Sequence, residues 1–415
     1  MLVPAEAART RLPIVALLVA NCISLIGSSL TVIAIPWFVL TTTGSATRAG
    51  LTGAFASLPA FLSGILGGAV VDRIGPRSSA LVADAVSGIS ILLIPLLYHT
   101  RGLAFWQLLL LVLCSAALEI PGLSARRSML PGLADLGGIR LERVNSILES
   151  NQHIAFFLGP PLAGVLIAAM GTSNVLWIDA GSYFLSAAAI VLAVPRLAKA
   201  ANRMVSRGYL TDIKDGLTWL WHDQVVRAIS LGLCFTNAFG APFFSLIFAV
   251  WAKDRFDDAR YLGVMLSAYS VGMLVGSAAF GVVGHRFSRR TIVTIFFAAV
   301  TLAYWPLAFH TPFWLILVLF AIGGFCDGPV NPLLTTVRME RIPEELRGRV
   351  FSATSAIAQM LPSLTIPIAG LMIGRFGLRT TVVVIATIAQ VVALVMVTRP
   401  IWKRLDESRP GRVVP

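Results

Sequence analysis

The 415-residue chain is short of charge. Only 13% of its residues are Asp, Glu, Lys or Arg, and acids are the scarcer sign, 20 against 33 bases. An ordinary soluble domain carries about 25% charged residues, so a soluble enzyme and a disordered chain are excluded. Cysteine is scarce too: Cys22, Cys114, Cys234 and Cys326 each lie inside an apolar run. No C-x-x-C pair or Cys/His spacing occurs, which excludes a disulfide scaffold and leaves no metal site to expect. The four cysteines are read as small packing residues. No G-x-x-x-x-G-K-[ST] is present, so transport driven by ATP is not expected of this chain. No H-E-x-x-H, Ser/His/Asp grouping or paired carboxylates suggest an enzyme, and no cofactor is expected.

What abounds is apolar: 57% of the residues are hydrophobic, and the mean hydropathy is +0.82. A helix crosses a bilayer with about 20 such residues. Twelve stretches qualify: 12–40, 49–71, 78–98, 103–125, 147–170, 174–194, 226–251, 261–283, 291–310, 313–335, 350–373 and 380–398. The first is too long for a signal-peptide core and no small-residue cleavage site follows it, so it reads as a retained span. The expected class is an all-α integral membrane protein in a lipid bilayer. Twelve spans put both termini on one side. With the N-terminus cytoplasmic, only Arg48, Arg101, Lys253, Arg255, Arg260, Arg375 and Arg379 of the 33 bases fall outside. That skew obeys the positive-inside rule and accounts for the net charge of +13 without invoking nucleic acid.

The chain repeats itself. Gly68-Ala-Val-Val-Asp72-Arg73-Ile-Gly75-Pro76-Arg77 after span 2 aligns with Gly281-Val-Val-Gly-His285-Arg286-Phe-Ser288-Arg289-Arg290 after span 8, 213 residues on. Pro161-Leu-Ala163-Gly164 recurs as Pro367-Ile-Ala369-Gly370, and Glu119-Ile-Pro121 as Asp327-Gly-Pro329, at separations of 206 and 208 residues. Two six-helix halves follow, 1–195 and 226–400, with a linker at 196–225 and a tail at 401–415. In the linker, Leu210, Ile213, Leu217, Leu220 and Trp221 predict an amphipathic helix on the cytoplasmic face.

The stretch from Gly68 to Arg77 resembles the major facilitator signature G-x-x-x-D-R-x-G-R-[KR], with Pro76 in place of the first basic residue. The N-terminal half is also similar to the macrolide-efflux-type branch of drug:proton antiporters. That likeness rests on Ser24-Leu-Ile-Gly27-Ser28, Thr43-Gly44-Ser45-Ala46, Leu58-Pro59, Asp84 and Ile178-Asp179. The resemblance implies a twelve-helix secondary exporter in a bacterial cytoplasmic membrane, monomeric, with a small-molecule substrate and protons as partners. Siderophore or metabolite exporters share the same layout, and a non-transporting membrane sensor is the contrasting class.

The resemblance also implies roles. Gly68, Asp72, Arg73, Gly75, Arg77 and Asp84 would form a cytoplasmic gate, with Asp72 at the positive N-terminus of the eleventh span near Arg349 to Ala353 and the arginines clamping nearby acids, Asp84 among them. Gly159, Pro160, Pro161 and Gly164 resemble a shortened antiporter motif of the fifth helix. From the residues themselves, ionisable groups inside spans are costly and mark function. Glu119 and Asp327 are thus candidates for proton coupling. The bland reading makes each a structural acid near the cytoplasmic end of its helix, paired with Arg126 or Arg338. Asp179 reads as an interfacial or capping acid. Ser24, Ser28, Gln152, His153 and Asn237 are candidate cavity residues, with Phe156, Phe157, Phe235, Phe239, Phe243 and Phe244 as aromatic lining.

Overall fold

The structure is a computed structural model that describes residues 10–196, 209–343 and 346–405; side chains at 60–73, 209–214, 285, 348, 352, 356 and 359 lie outside the description. Every regular element among the described residues is helical. In order they are α1 (Leu12–Thr43), α2 (Ala46–Ile74), α3 (Pro76–Thr100), α4 (Phe105–Ala117), α5 (Glu119–Gly137), α6 (Leu141–Met170), α7 (Thr172–Ala193), α8 (Tyr209–His222), α9 (Gln224–Pro242), α10 (Phe248–Phe256), α11 (Ala259–Val283), α12 (Arg289–Leu302), α13 (Phe313–Asp327), α14 (Val330–Arg341), α15 (Arg347–Met360) and α16 (Pro362–Thr398). Ten helices or helix runs among the described residues are long and apolar enough to cross a membrane. In lipid, backbone groups must be satisfied within the segment, which is why such sequences fold as helices.

Two expected spans are joined in α16. Its 37 residues would extend about 55 Å as one helix, well beyond a bilayer core. Gly377, at φ 81°, breaks it into 362–376 and 378–398, a left-handed conformation that glycine adopts without steric cost. Spans 4 and 10, expected as single helices, are each broken partway along: α4 stops before Glu119, and α13 ends at Asp327. Pro121 and Pro329 lie two residues beyond each acid, and a proline has no N–H to continue the helix ladder.

The described residues fall into two compact units, one within Met1–Ile35 and Phe55–Met204, the other within Pro36–Ala54 and Val205–Pro415. In the first, Ile14, Leu17, Leu130, Leu133 and Leu148 lie in one buried cluster. In the second, α8 folds as the linker periodicity predicted. Leu220 is buried with Val226, Ile342, Val350 and Ala353, and Leu217 and Trp219 pack against them. Trp221 was expected on this face but is half exposed, with Arg227 over its ring at 5.8 Å. Leu210 and Ile213 lie among the side chains outside the description.

The closest helix packing in the second unit is between α11 and α13, and its cause is a pair of G-x-x-x-G repeats. Gly272 and Gly276 press on the backbone carbonyls of Ala321 and Phe325, while Gly324 and Gly328 press on those of Tyr269 and Met273. Any side chain there would collide with backbone, and small residues are what permit such approach in lipid. Gly276→Leu is therefore expected to destabilise the purified protein by about 3 kcal/mol or more. Gly281→Ala, with open space around it, is expected to leave the detergent melting temperature unchanged.

Candidate functional site

In the first unit, Glu119 is the first residue of α5. It lies 14 residues past the start of α4 and 18 before the end of α5, so it stands about 21 Å from one end of the combined run and about 27 Å from the other. α5 continues to Gly137, beyond the apolar stretch that set the expected boundary. Glu119 is exposed, beside a cavity of about 40 Å³ that Ser24, Ser28, Asp84, Arg126 and Tyr183 also line. It makes no hydrogen bond or ion pair with any described residue. Arg126, its expected partner, is buried and pairs with Asp84 instead, and donates to Ser186 Oγ at 3.2 Å. Ser186 in turn donates to the second Asp84 oxygen at 2.7 Å. These contacts form a buried tie between α3, α5 and α7.

Asp179 is corrected too. It is fully buried in the third turn of α7, where it accepts from Thr31 of α1 and from Ser182 Oγ at 3.2 Å. It is no helix cap, because α7 begins at Thr172, seven residues earlier. Beside it, Tyr183 and Ser28 share a hydrogen bond of 2.9 Å. Gly27 leaves room for this cluster, since a side chain there would overlap Asp179 and Ser182.

In the second unit, Asp327 accepts from Tyr269 Oη at 2.6 Å. It makes no ion pair among the described residues. Arg338, its expected partner, sits over the ring of Phe351 at 4.7 Å and donates to Leu334 O at 3.3 Å. Asp327 lies 14 residues from the start of α13 and 14 from the end of α14, about 21 Å from each. It borders a cavity of about 300 Å³ together with Asn237, Phe244, Tyr269, Phe296 and Tyr304. A single π-helical turn, Phe243–Ile247, interrupts the run from α9 to α10, and such turns concentrate at functional sites. It carries Phe243 onto Tyr304, stacked at 3.9 Å, and Phe244 edge-on to Tyr269 at 4.9 Å.

The remaining candidates scatter. Asn237 donates to Ala358 O at 3.3 Å from the cavity wall. Gln152 and His153 line neither cavity; His153 stacks on Phe157 at 6.4 Å. Phe235 and Phe239 line a narrow pocket beside α12 and α16, and Phe156 is exposed. Through Gly159, Pro160, Pro161 and Gly164, α6 remains helical, with Gly159 packed on Ser29 of α1 and Gly164 buried. Gly68, Asp72 and Arg73 fall in α2, where side chains lie outside the description, as does that of His285. Gly75, at φ 85°, turns the chain into α3, and Pro76 occupies its first position, where a missing N–H costs nothing. Arg77 donates to the carbonyls of Val194 at 2.7 Å and Val191 at 2.9 Å. It therefore caps the negative end of α7 and makes no ion pair among the described residues.

Sequence reasoning missed four contributors: Arg126 as the partner of Asp84, the two tyrosines at Asp327, and the paired G-x-x-x-G repeats. The glycine spacing was a readable signal; tyrosines scattered on separate helices were not.

Comparison with known proteins matches this arrangement to one family. The family model described as Major Facilitator Superfamily matches residues 17–257 and 231–413. The multidrug efflux pump Tap of Mycolicibacterium fortuitum is 31% identical over 405 residues, covering 96% of this chain and 98% of that one. Macrolide efflux protein A of Streptococcus pyogenes is 22% identical over 384 residues, covering 90% and 93%. Among solved structures, the nucleoside transporter NupG superposes with a TM-score of 0.73 at 12% identity, covering 92% of this chain and 98% of that one, a likeness of fold alone.

Proposed function

Because the chain belongs to the Major Facilitator Superfamily, we propose that it is a secondary exporter of hydrophobic or amphipathic small molecules, a drug-type efflux transporter working by proton antiport and alternating access. The observation that carries this reading is the pair of accessible carboxylates, Glu119 and Asp327, at mid-helix breaks in repeat-related positions with no arginine bound to either among the described residues. A carboxylate at that depth exchanges protons more readily than one locked in an ion pair. Relatives named for multidrug and macrolide efflux support the outward direction and the substrate class.

In this reading the chain has twelve spans in two six-helix repeats and acts as a monomer with both termini cytoplasmic. At least one of the paired acids carries the proton. Glu119 is the first candidate, since its cavity also holds Asp84, Arg126 and Tyr183, with Asp179 one turn from Tyr183. Asp72 closes the cytoplasmic side against a helix N-terminus, an attraction worth about 0.3–2 kcal/mol. Asp72→Asn is expected to lower transport at normal expression and to raise labelling of engineered cysteines from the cytoplasm. Unchanged labelling with unchanged transport would reduce Asp72 to a topology marker.

The reading is tested in cells. Expression in a drug-sensitive bacterial host should lower accumulation of a fluorescent hydrophobic drug, and a protonophore should restore it. Accumulation that stays low after the proton gradient collapses, with cellular ATP intact, would exclude proton antiport.

A further inference from the structure

The two repeat-related acids sit in unlike surroundings. Glu119 borders a cavity of about 40 Å³ that also holds a guanidinium, Arg126. Asp327 borders one of about 300 Å³, and no Lys, Arg or His is among its described lining residues. The other described polar groups there are neutral: Thr236, Asn237, Asn331 and two tyrosines. The only hydrogen bond to the carboxylate from a described residue is the Tyr269 hydroxyl at 2.6 Å. An ionised acid at membrane depth needs more compensation than one hydroxyl. A proton supplies it, and so does a cationic ligand.

The walls favour the ligand. Tyr269, Tyr304, Phe244 and Phe296 surround the space with aromatic carbon, and ring faces attract cations most strongly where water is excluded. The stack of Phe243 on Tyr304 and the edge contact of Phe244 on Tyr269 hold these rings in place before anything binds, which lowers the ordering cost of binding. The volume falls at the lower end of the range of about 300–1,000 Å³ typical of small-molecule sites.

We infer that this cavity is an organic-cation subsite, in which Asp327 is the counter-charge and Tyr269, Tyr304 and Phe244 are the ring walls for a hydrophobic monovalent cation. The inference rests on the efflux reading and divides its pair of acids: Asp327 faces the substrate, Glu119 the proton. Anionic compounds are disfavoured by the same carboxylate.

The test is equilibrium binding of radiolabelled tetraphenylphosphonium to the purified full-length protein, with uncharged triphenylphosphine oxide as the neutral probe. Asp327→Asn is expected to weaken tetraphenylphosphonium binding at least about tenfold and to change the neutral probe by less than about twofold. Asp327→Glu and Glu119→Gln should each stay within about threefold of the parent. Should Asp327→Asn fail to fold, Phe244→Leu carries the test, with cation affinity falling at least about threefold and the neutral probe unmoved. Equal loss in Asp327→Asn and Glu119→Gln, or full cation affinity in Asp327→Asn, would overturn the assignment. So would export of neutral drugs by protein that binds no tetraphenylphosphonium, an outcome that leaves the efflux reading standing.

Discussion

Replacing Arg126 by Leu is expected to cost about 3–5 kcal/mol of stability, the loss seen when one partner of a buried ion pair is removed. Arg126 and Asp84 are both buried, with 6% and 2% of their side chains exposed. Their contact, closed by Ser186, joins α3, α5 and α7. Without the guanidinium, Asp84 lies buried among apolar helices with only Ser186 among the described residues to hydrogen-bond it. The double variant Asp84→Leu/Arg126→Leu should recover most of the loss, since an apolar pair of similar volume is often no worse than the ion pair. Unfolding titrations in detergent micelles would show this as a large shift for the single variant and a small one for the double. A single variant within about 1 kcal/mol of the parent would mean that the tie contributes little.

Glu119→Gln is expected to abolish transport driven by a pH gradient, to below about a tenth of the parent rate, while leaving the fold intact. The carboxylate is exposed and carries no hydrogen bond or ion pair to a described residue, so replacing it strands no described partner. This separates it from Asp84, whose neutralisation would orphan Arg126. Binding, and exchange of labelled for unlabelled substrate, should survive, because the amide keeps the shape of the cavity and loses only the exchangeable proton. Full gradient-driven transport in this variant would move the coupling role to Asp327 or to the buried Asp179.

Much of this was legible in the residues. Long apolar runs announced the helices, and the recurrence of acid, x, proline at a fixed separation pointed to the two mid-span acids. Their depth was not legible. Boundaries drawn where hydropathy falls stop short of the polar ends of α5 and α14, which remain helical beyond the apolar stretch. Asp179 was misread for a related reason: one residue of acid in an apolar run does not say which way it faces, and Thr31 and Ser182, which receive it, come from different parts of the sequence. Arg77 was expected to meet an acid because arginines in this motif count as charges. Its partners are backbone carbonyls at the end of α7, which no side-chain pattern encodes. The partnership of Arg126 with Asp84 rather than Glu119 depends on how three helices pack, a matter of 42 residues of separation that periodicity along one helix cannot address.

The central claim is that the chain moves a small hydrophobic molecule in one direction as protons move in the other. Purified protein in sealed liposomes, free of ATP and with sodium equal on both sides, measures this directly. With an imposed pH gradient, a hydrophobic drug should accumulate on the proton-rich side of the membrane, and its movement should carry protons detectably down their gradient. Drug movement that ignores the pH gradient, or that responds only to a sodium gradient, would contradict the account.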